Sequence, residues 1–313
     1  MGHKALYDKT AGAYLGLIFV ILVWGASPLA NKYFLDYYSP TFGVAWGSAI
    51  SVLTLAIIFR KKLKEITKDY FKVAIPLGLF YTTANLLQKI GLQYTTPTIY
   101  SFLENLSCVV VPFLVWWFVK KKPSALHVIG SLICLCSAFV LSGLGSSGEK
   151  FSLGIGELMC ALAGIFYGVN IAGTGAFTKK FDSALYIMVL LAIDSLLSFV
   201  ISLAFNFITV DGVPIEAIRF SWSPLLLLSR IAVVLVSSTL CWIIRTHCMK
   251  FINATVVAVM MPFSAVVTGT LSVIVGMDEL TTNLVIGAIL GLTAMLVCAF
   301  GDRLSEKHPS TTD

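Results

Sequence analysis

The sequence predicts an all-α, polytopic membrane protein of ten transmembrane helices, built from two inverted five-helix repeats. Of its 313 residues, 58% are hydrophobic and 12% are charged, and the mean hydropathy is +0.89. Soluble domains are about 45 to 50% apolar and about 25% charged. Apolar stretches long enough to cross about 30 Å of hydrocarbon also recur along the whole chain. These two observations indicate a protein that lies in a membrane, with no soluble domain between its spans.

The apolar stretches predict ten spans. They cover residues 12–33, 40–59, 72–92, 97–118, 125–143, 154–177, 184–208, 224–247, 253–275 and 282–301. An even number of spans places both termini on the same side of the membrane. The first span follows a short polar leader, is longer than a signal peptide and has no small-residue cleavage site, so we expect it to be retained.

Basic residues predict the orientation, because Lys and Arg beside spans stay on the cytoplasmic side. The segments on one side hold most of them, including a cluster over residues 60–72, Lys120 to Lys122, and Arg245. We therefore expect a multi-pass protein of the cell membrane, in a bacterial inner membrane, with both termini cytoplasmic. The net charge of +6 follows from these flanks, so we expect a lipid bilayer and no nucleic acid as partner.

Cysteine and histidine patterns indicate no metal site, no cofactor and no enzymatic activity. The seven cysteines form no CxxC pair and no Cys/His cluster at metal-binding spacing. No nucleophile signature and no Walker sequence is present. Any transport would therefore draw its energy from a gradient or from exchange.

Similar segments recur at a fixed offset. A shift of 157 residues places Val128-Ile129-Gly130 on Val285-Ile286-Gly287, and a shift of 143 places Trp24-Gly25 on Tyr167-Gly168. The alternative explanation is chance similarity among apolar segments. The difference of 14 between the two offsets predicts an insertion in the loop over residues 209–222.

The repeat divides the chain into residues 1–150, with spans one to five, and residues 151–313, with spans six to ten. Five is an odd number, so the second half has to enter the membrane inverted. The flanking charges agree, since Lys120 to Lys122 correspond to the acidic segment 276–279. Inverted repeats predict a binding site near mid-membrane between the two halves and alternating access by rocking of the halves.

The same features resemble the drug/metabolite transporter superfamily, EamA type. The resemblance rests on five plus five spans, Trp24-Gly25, Pro40 at the start of span two, Tyr94 to Thr96 and the stretch over 262–287. It implies a secondary transporter, often an exporter of amino acids or other small metabolites. It also implies a cavity lined by spans one, three, four, six, eight and nine.

Glu104 is the leading candidate for function, because a carboxylate within a membrane span normally faces a cavity and has a partner. Asn85 and Lys89 share one face of span three, and Ser101 and Glu104 share one face of span four. Three roles stay open for Glu104: a structural pair with Lys89, a proton or cation coupling site, or recognition of a substrate ammonium. Lys89 would tune or neutralise Glu104.

Four apolar or aromatic residues are expected to form the wall of a substrate cavity: Trp24, Tyr167, Trp242 and Met261. Aromatic walls with a few polar groups are typical of small-molecule sites, and cation-π contact would suit an amine. Generic packing is the alternative. Asp194 and Arg230 are expected to be structural, or Arg230 to reach the outer surface with its long side chain.

The sequence thus predicts a secondary active transporter that exports a small polar metabolite by alternating access. The metabolite would be an amino acid, an amine or a related cationic compound. The transporter would work as a monomer or homodimer, with proton or counter-substrate coupling. One alternative is an exchanger of anions, nucleotide sugars or phosphate esters that uses Lys89, Arg230 and Arg245. A lipid flippase or a membrane scaffold is the alternative from another class.

Overall fold

The computed structural model describes residues 2–120, 124–141, 154–210 and 213–307, which are mostly helical. The helices before residue 150 are α1 (Gly2–Phe34), α2 (Pro40–Ile58), α3 (Lys68–Tyr94), α4 (Pro97–Glu104), α5 (Ser107–Val119) and α6 (Ala125–Leu141). Those after it are α7 (Ile155–Phe177), α8 (Ser183–Phe207), α9 (Pro224–Val233), α10 (Cys241–Cys248), α11 (Ala254–Met260), α12 (Pro262–Val275) and α13 (Thr282–Lys307). Strands β1 (Thr209–Val210) and β2 (Val213–Pro214) form a small antiparallel hairpin.

Within the described ranges, six helical stretches are long and apolar enough to cross a membrane. They are Thr10–Phe34, Pro40–Ile58, Ile155–Phe177, Ser183–Phe207, Pro224–Cys248 and Val256–Val275, and two shorter apolar helices cover Ala125–Ser137 and Thr282–Ala294. These helices support a multi-pass membrane protein. The ten-span count, the inverted repeat and the orientation stay predictions. Lys121 and Lys122, which carry part of the charge argument, lie outside the described residues, as does the predicted boundary between the halves.

The fourth predicted span is not continuous. Helix α4 ends at Glu104, and α5 begins at Ser107. The Asn105 side chain donates from Nδ2 to the Ser101 carbonyl at 2.6 Å, in place of the backbone N–H that a continuous helix would direct there. The Asn105 N–H instead bonds to the Phe102 carbonyl at 3.2 Å. The prediction of one continuous helix over 97–118 was therefore wrong.

The ninth predicted span is interrupted as well. Helix α11 ends at Met260, and Pro262 begins α12. Proline has no backbone N–H and its ring crowds the preceding turn, so a helix is interrupted or kinked next to it. Met261 lies at this break. It follows Glu104 by 157 residues (261 − 104), which is the offset predicted for the repeat.

The eighth predicted span changes its winding. A π-helical segment, Val234–Leu240, separates α9 from α10. Such segments within α-helices are frequent at functional sites, because the wider turn redirects side chains and frees carbonyls. Here the Ser237 carbonyl accepts a hydrogen bond of 2.8 Å from the indole Nε1 of Trp24. The π-helical segment thereby connects span eight to α1.

Close packing of α7 against the break between α4 and α5 depends on a glycine. A Cβ atom at Gly164 would lie 2.6 Å from the Glu104 carbonyl oxygen and 2.7 Å from that of Leu103. Only glycine avoids this collision. The backbone at Glu104 is therefore pressed against α7.

The loop over residues 213–222 covers the turn between α1 and α2. The Glu216 carboxylate accepts hydrogen bonds from the backbone N–H of Thr41 at 3.0 Å and from its hydroxyl at 2.6 Å, at the start of α2. The Tyr38 hydroxyl donates to the Ser221 carbonyl at 3.3 Å, and Phe220 packs edge-on against the Tyr38 ring. This end of the helix bundle is closed by the loop.

Candidate functional site

A central cavity lies where α1, α3, α4, α7, the π-helical segment and α10 meet. All eight residues that the sequence singled out line it: Trp24, Asn85, Lys89, Ser101, Glu104, Tyr167, Trp242 and Met261. Their roles in binding or coupling stay predictions. The structure brings them together from both predicted halves of the chain.

Further residues complete the lining of the central cavity. They are Ser27, Pro28, Asn31, Tyr81, Gln88, Tyr100, Asn105, Ser107, Ile171, Ser237, Ser238, Arg245 and Ser264. The centres of water-sized molecules can occupy about 70 Å³ of the cavity. One water needs about 10 to 15 Å³ by the same measure. The cavity in this conformation therefore has room for a few waters or a small solute.

Glu104 is the last residue of α4, so the helix break sets its position. Its side chain is half-buried and faces the central cavity. Beside it, the Gln88 side chain accepts a hydrogen bond of 3.0 Å from the Tyr167 hydroxyl. Ser101, one turn earlier, donates to Thr268 on α12 at 3.0 Å. These contacts fix the polar side of the cavity.

Lys89 and Glu104 do not form a direct ion pair. In the described residues, the ion pairs within 4.0 Å are Lys62 with Asp182 and Lys72 with Asp69, at the protein surface. The hypothesis of a structural salt bridge between Lys89 and Glu104 therefore has no contact to support it. Both side chains face the central cavity instead.

Aromatic rings surround the Trp242 side chain. Its ring centroid lies 4.6 Å from that of Tyr81, 5.3 Å from that of Trp24 and 6.0 Å from that of Tyr167. Edge-on and tilted arrangements at these distances are favourable for aromatic pairs. The predicted aromatic wall is present as a packed cluster, with Trp24 held by its bond to Ser237.

Arg245 is the cavity residue that the sequence analysis placed elsewhere. We counted it among cytoplasmic basic residues because it lies near the end of span eight. Its side chain is in fact 1% exposed, and its guanidinium carbon lies 3.8 Å from the Trp242 ring centroid. The face of Trp242 that we expected to receive a substrate amine is therefore occupied by a cation of the protein itself. Arg245 follows Trp242 by three residues, and this spacing could have indicated that the two share one face of the helix.

The polar contacts of Arg245 leave part of its guanidinium unsatisfied. Nη2 donates to the Asn170 side-chain oxygen at 3.2 Å, whereas the buried Nε has no hydrogen-bond partner. Asn170 is itself fixed, since its amide nitrogen donates to the Leu77 carbonyl at 3.2 Å. The charge of Arg245 thus meets a neutral amide, not a carboxylate.

Asn85 connects the central cavity to a buried carboxylate. Its Nδ2 donates to Asp194 at 3.2 Å, and the same Asp194 oxygen accepts from the Ser48 hydroxyl at 2.6 Å. Asp194 is completely buried between α8, α2 and α3. These contacts orient Asn85 and agree with a structural part for Asp194.

Arg230 lies in a second, smaller cavity, which we call the Arg230 cavity. It is lined by Asn31, Phe34, Leu35, Tyr38, Ser39, Pro40, Gly43, Lys89 and Arg230. Arg230 is 7% exposed, so the expectation that it reaches the outer surface was wrong. Its Nη1 donates to the Asn31 side-chain oxygen at 2.6 Å, and its guanidinium carbon lies 5.2 Å from the centroid of the Phe34 ring.

With this geometry established, comparisons with known proteins identify the first part of the chain. Residues 11–143 match the EamA-like transporter family. The resemblance to the drug/metabolite transporter superfamily is thereby confirmed. The match covers less than half of the chain's 313 residues. The matched residues include Trp24, Asn85, Ser101 and Glu104 of the central cavity.

Two curated relatives of this chain carry transporter names. An uncharacterized transporter of Archaeoglobus fulgidus is 30% identical over 179 residues, or 57% of this chain and 52% of the relative. The uncharacterized transporter YyaM of Bacillus subtilis is 24% identical over 173 residues, or 50% of this chain and 56% of the relative. The matches thus span about half the length of these relatives.

A protein of known crystal structure shares the fold of this chain. It superposes with a TM-score of 0.66 over 94% of this chain and 99% of its own, at 16% sequence identity. Such a likeness shows the fold alone. It extends over residues 11–143 and over the part of the chain that follows them.

Proposed function

We propose that the protein is a secondary transporter that exports a small metabolite carrying both an ammonium and a carboxylate group, such as an amino acid. The observation that carries the proposal is one cavity lined by both Glu104 and Arg245, side chains of opposite charge that form no direct ion pair. Charges within a membrane span are costly and normally have a partner. A zwitterion between the two side chains would supply a partner for each.

The position of Arg245 narrows the substrate class expected from the sequence. A purely cationic amine would gain from Glu104 but would face both Arg245 and Lys89. Like charges in a site of low dielectric repel each other strongly. A carboxylate on the substrate converts the Arg245 contact from unfavourable to favourable, so an amino acid fits better than a simple amine.

The two broken helices support alternating access. Transporters with inverted repeats bind their substrates at discontinuous helices in corresponding positions of the two halves. Glu104 and Met261, at the two breaks, both line the central cavity. We propose that residues 1–150 and 151–313 rock against each other around this cavity, in a cell membrane with both termini cytoplasmic.

Coupling is proposed to occur at Glu104. A proton and the substrate ammonium would compete for the same carboxylate, so loading of one would release the other. Lys89, which faces the same cavity, would tune Glu104 through its positive charge. Exchange of substrate against a proton follows without any ATP-binding element.

An anion exchanger is the second candidate, because two cations and one carboxylate line the central cavity. Lys89 and Arg245 would then hold a phosphate or carboxylate, and Arg230 would attract it from the neighbouring cavity. The room for only a few waters disfavours a nucleotide sugar in this conformation. A small carboxylate remains compatible with it.

Uptake into proteoliposomes tests the proposal. Vesicles loaded with an unlabelled amino acid mixture should accumulate labelled amino acids by counterflow in wild type, and lose this uptake in Glu104→Gln. Glu65→Gln, an exposed carboxylate outside the helices that line the cavity, is the matched control. Competition by phosphate esters but not by amino acids would favour the anion exchanger. Movement of fluorescent lipid without solute uptake would favour a flippase, and neither activity would favour a scaffold.

A further inference from the structure

The Arg230 cavity contains two cationic side chains and no carboxylate. Arg230 and Lys89 both line it, and its other lining groups are neutral. Arg230 is more than nine-tenths buried, and its Nε has no hydrogen-bond partner. The one hydrogen bond that the described residues give to its guanidinium comes from Nη1 and ends on the neutral amide of Asn31. The cavity therefore has an excess of positive charge and unused donors.

Three carboxylates of the bundle and its covering loop face other groups and not the Arg230 cavity. Glu104 faces the central cavity, and Asp194 accepts hydrogen bonds from Ser48 and Asn85. Glu216, on the loop that covers this end, is bound to Thr41. Neither Lys89 nor Arg230 has a carboxylate within 4.0 Å in the described part of the chain. Neither cation is therefore directly paired with a carboxylate of the described residues.

We propose that the Arg230 cavity binds one small monovalent anion, a chloride or a carboxylate group, between Lys89 and Arg230. The space there amounts to about 10 Å³ for water centres, which is close to one water-sized particle. A planar guanidinium with free donors binds carboxylates well, and a lysine ammonium adds a point charge. Both cations are largely buried, and attraction between charges is stronger away from bulk water.

The position of this site connects it to transport. Asn31 and Lys89 line both the Arg230 cavity and the central cavity. An anion at Arg230 would draw Lys89 away from the central cavity and leave Glu104 with less positive charge nearby. A carboxylate of a departing substrate could occupy the same site on its way out, whereas chloride would be a resident ion.

Thermal stability of the purified full-length protein tests the site without any substrate. The sodium salt of HEPES, a bulky sulfonate without a carboxylate, is exchanged for sodium chloride or sodium acetate at constant ionic strength, and the midpoint of unfolding is measured against anion concentration. Wild type should show a saturable rise with chloride, acetate or both, because an anion that binds only the folded state stabilises it by mass action. A rise with acetate alone identifies a carboxylate site, and a rise with chloride identifies an ion site.

Two variants and a control decide whether the effect arises at this site. Asn31→Asp places a fixed carboxylate beside Arg230 and should abolish the anion dependence while the protein stays folded. Arg230→Gln should weaken the apparent affinity for the anion at least tenfold. Arg219→Gln, which removes an exposed arginine at the same end of the molecule, should keep the wild-type response.

The proposal is overturned if wild type unfolds at the same temperature in all three salts, or if Asn31→Asp retains the full anion response. It is also overturned if Arg219→Gln removes the response. The measurement depends on inorganic anions and acetate alone. The zwitterion transport proposed above can therefore fail while the anion site stands, and the reverse is equally possible.

Discussion

Two buried arginines in this molecule have the same local chemistry and different surroundings. Arg245 donates to the side-chain oxygen of Asn170, and Arg230 donates to that of Asn31. Both leave their Nε without a partner. However, Arg245 lies over Trp242 in a cavity that also contains Glu104, whereas no carboxylate lines the Arg230 cavity.

The comparison shows that the neighbouring carboxylate, more than the arginine, decides what each site can hold. A cation with a carboxylate across a cavity matches a molecule that carries both charges. A cation beside a second cation matches an anion. Since the two arginines share a neutral asparagine as partner, the same substitution can be made at both sites and the results compared directly.

Removal of the carboxylate from the central cavity should have the largest effect. Glu104→Gln is expected to weaken binding of the transported amino acid by about 100-fold or more, because loss of one partner of a buried charge-assisted contact costs about 2 to 5 kcal/mol. Titration calorimetry of purified protein measures this. Adding Lys89→Met should not restore binding, since the two side chains are not paired in the structure. Recovery in the double variant would mean that Glu104 serves only to balance Lys89.

A carboxylate placed next to each arginine separates the two sites. Asn170→Asp should weaken amino acid binding about tenfold, because the new carboxylate competes for Arg245 with an energy of about 1.5 kcal/mol or more. Asn31→Asp, the same change beside Arg230, should weaken that affinity much less, because Asn31 lines both cavities but bonds to Arg230 and not to Arg245. Binding isotherms of the two variants give the comparison. Equal losses in both would contradict the assignment of Arg245 to the substrate carboxylate.

The close contact between α7 and the helix break should be needed to hold Glu104 across the cavity from Arg245. Gly164→Ala brings a Cβ within 2.6 Å of the Glu104 carbonyl oxygen, so α7 has to move. We expect a loss of about 1 to 3 kcal/mol in stability, the usual cost of overpacking, together with weaker binding. Gly12→Ala is the control, because a Cβ there meets nothing within 4 Å. Thermal unfolding and binding of both variants should differ accordingly.

Lys32 differs from the two arginines, because its ammonium group has three hydrogen-bond acceptors. Its Nζ donates to the carbonyls of Leu92, Gln93 and Thr95 at 2.7, 3.1 and 2.9 Å, at the end of α3. Lys32→Met should therefore lower stability by about 1 to 2 kcal/mol through lost capping, with substrate affinity and anion response unchanged.

Lys68→Met, which removes an exposed lysine at the other end of α3, is the control for Lys32→Met and should have no effect on unfolding. A change in the anion response of Lys32→Met would show that this cation also belongs to the Arg230 site. Midpoints of thermal unfolding in the sodium salt of HEPES and in sodium chloride distinguish the two cases.

The apolar composition and the length of the apolar stretches were sufficient to predict a helical membrane protein. A helix that crosses lipid needs apolar side chains over about 20 residues. Composition and length were not sufficient to predict the helix breaks. The break after Glu104 depends on the Asn105 side chain bonding to Ser101, and an asparagine in a helix often makes no such bond. The π-helical segment before Cys241 has no proline or glycine to mark it. Such features depend on tertiary contacts, here the bond from Trp24.

The polar residues of the central cavity were predictable from their types and spacing. A carboxylate or amide within an apolar helix is costly to expose to lipid and therefore faces a cavity. Asn85, Ser101 and Glu104 all face the cavity. Arg245 was assigned to a site only in the anion-exchanger alternative, because a cation near the end of a span is usually a topology signal. Its burial became evident only from the position of α10 relative to Trp242 and Asn170.

The most direct test of the account compares three ligands that differ in one charge each. Purified protein is heated with an amino acid, with the amine that lacks its carboxylate, and with the acid that lacks its ammonium. The account predicts that the amino acid raises the unfolding temperature of wild type, that the other two raise it much less, and that the shift disappears in both Glu104→Gln and Arg245→Gln. Equal stabilisation by the amine alone or by the acid alone would contradict it.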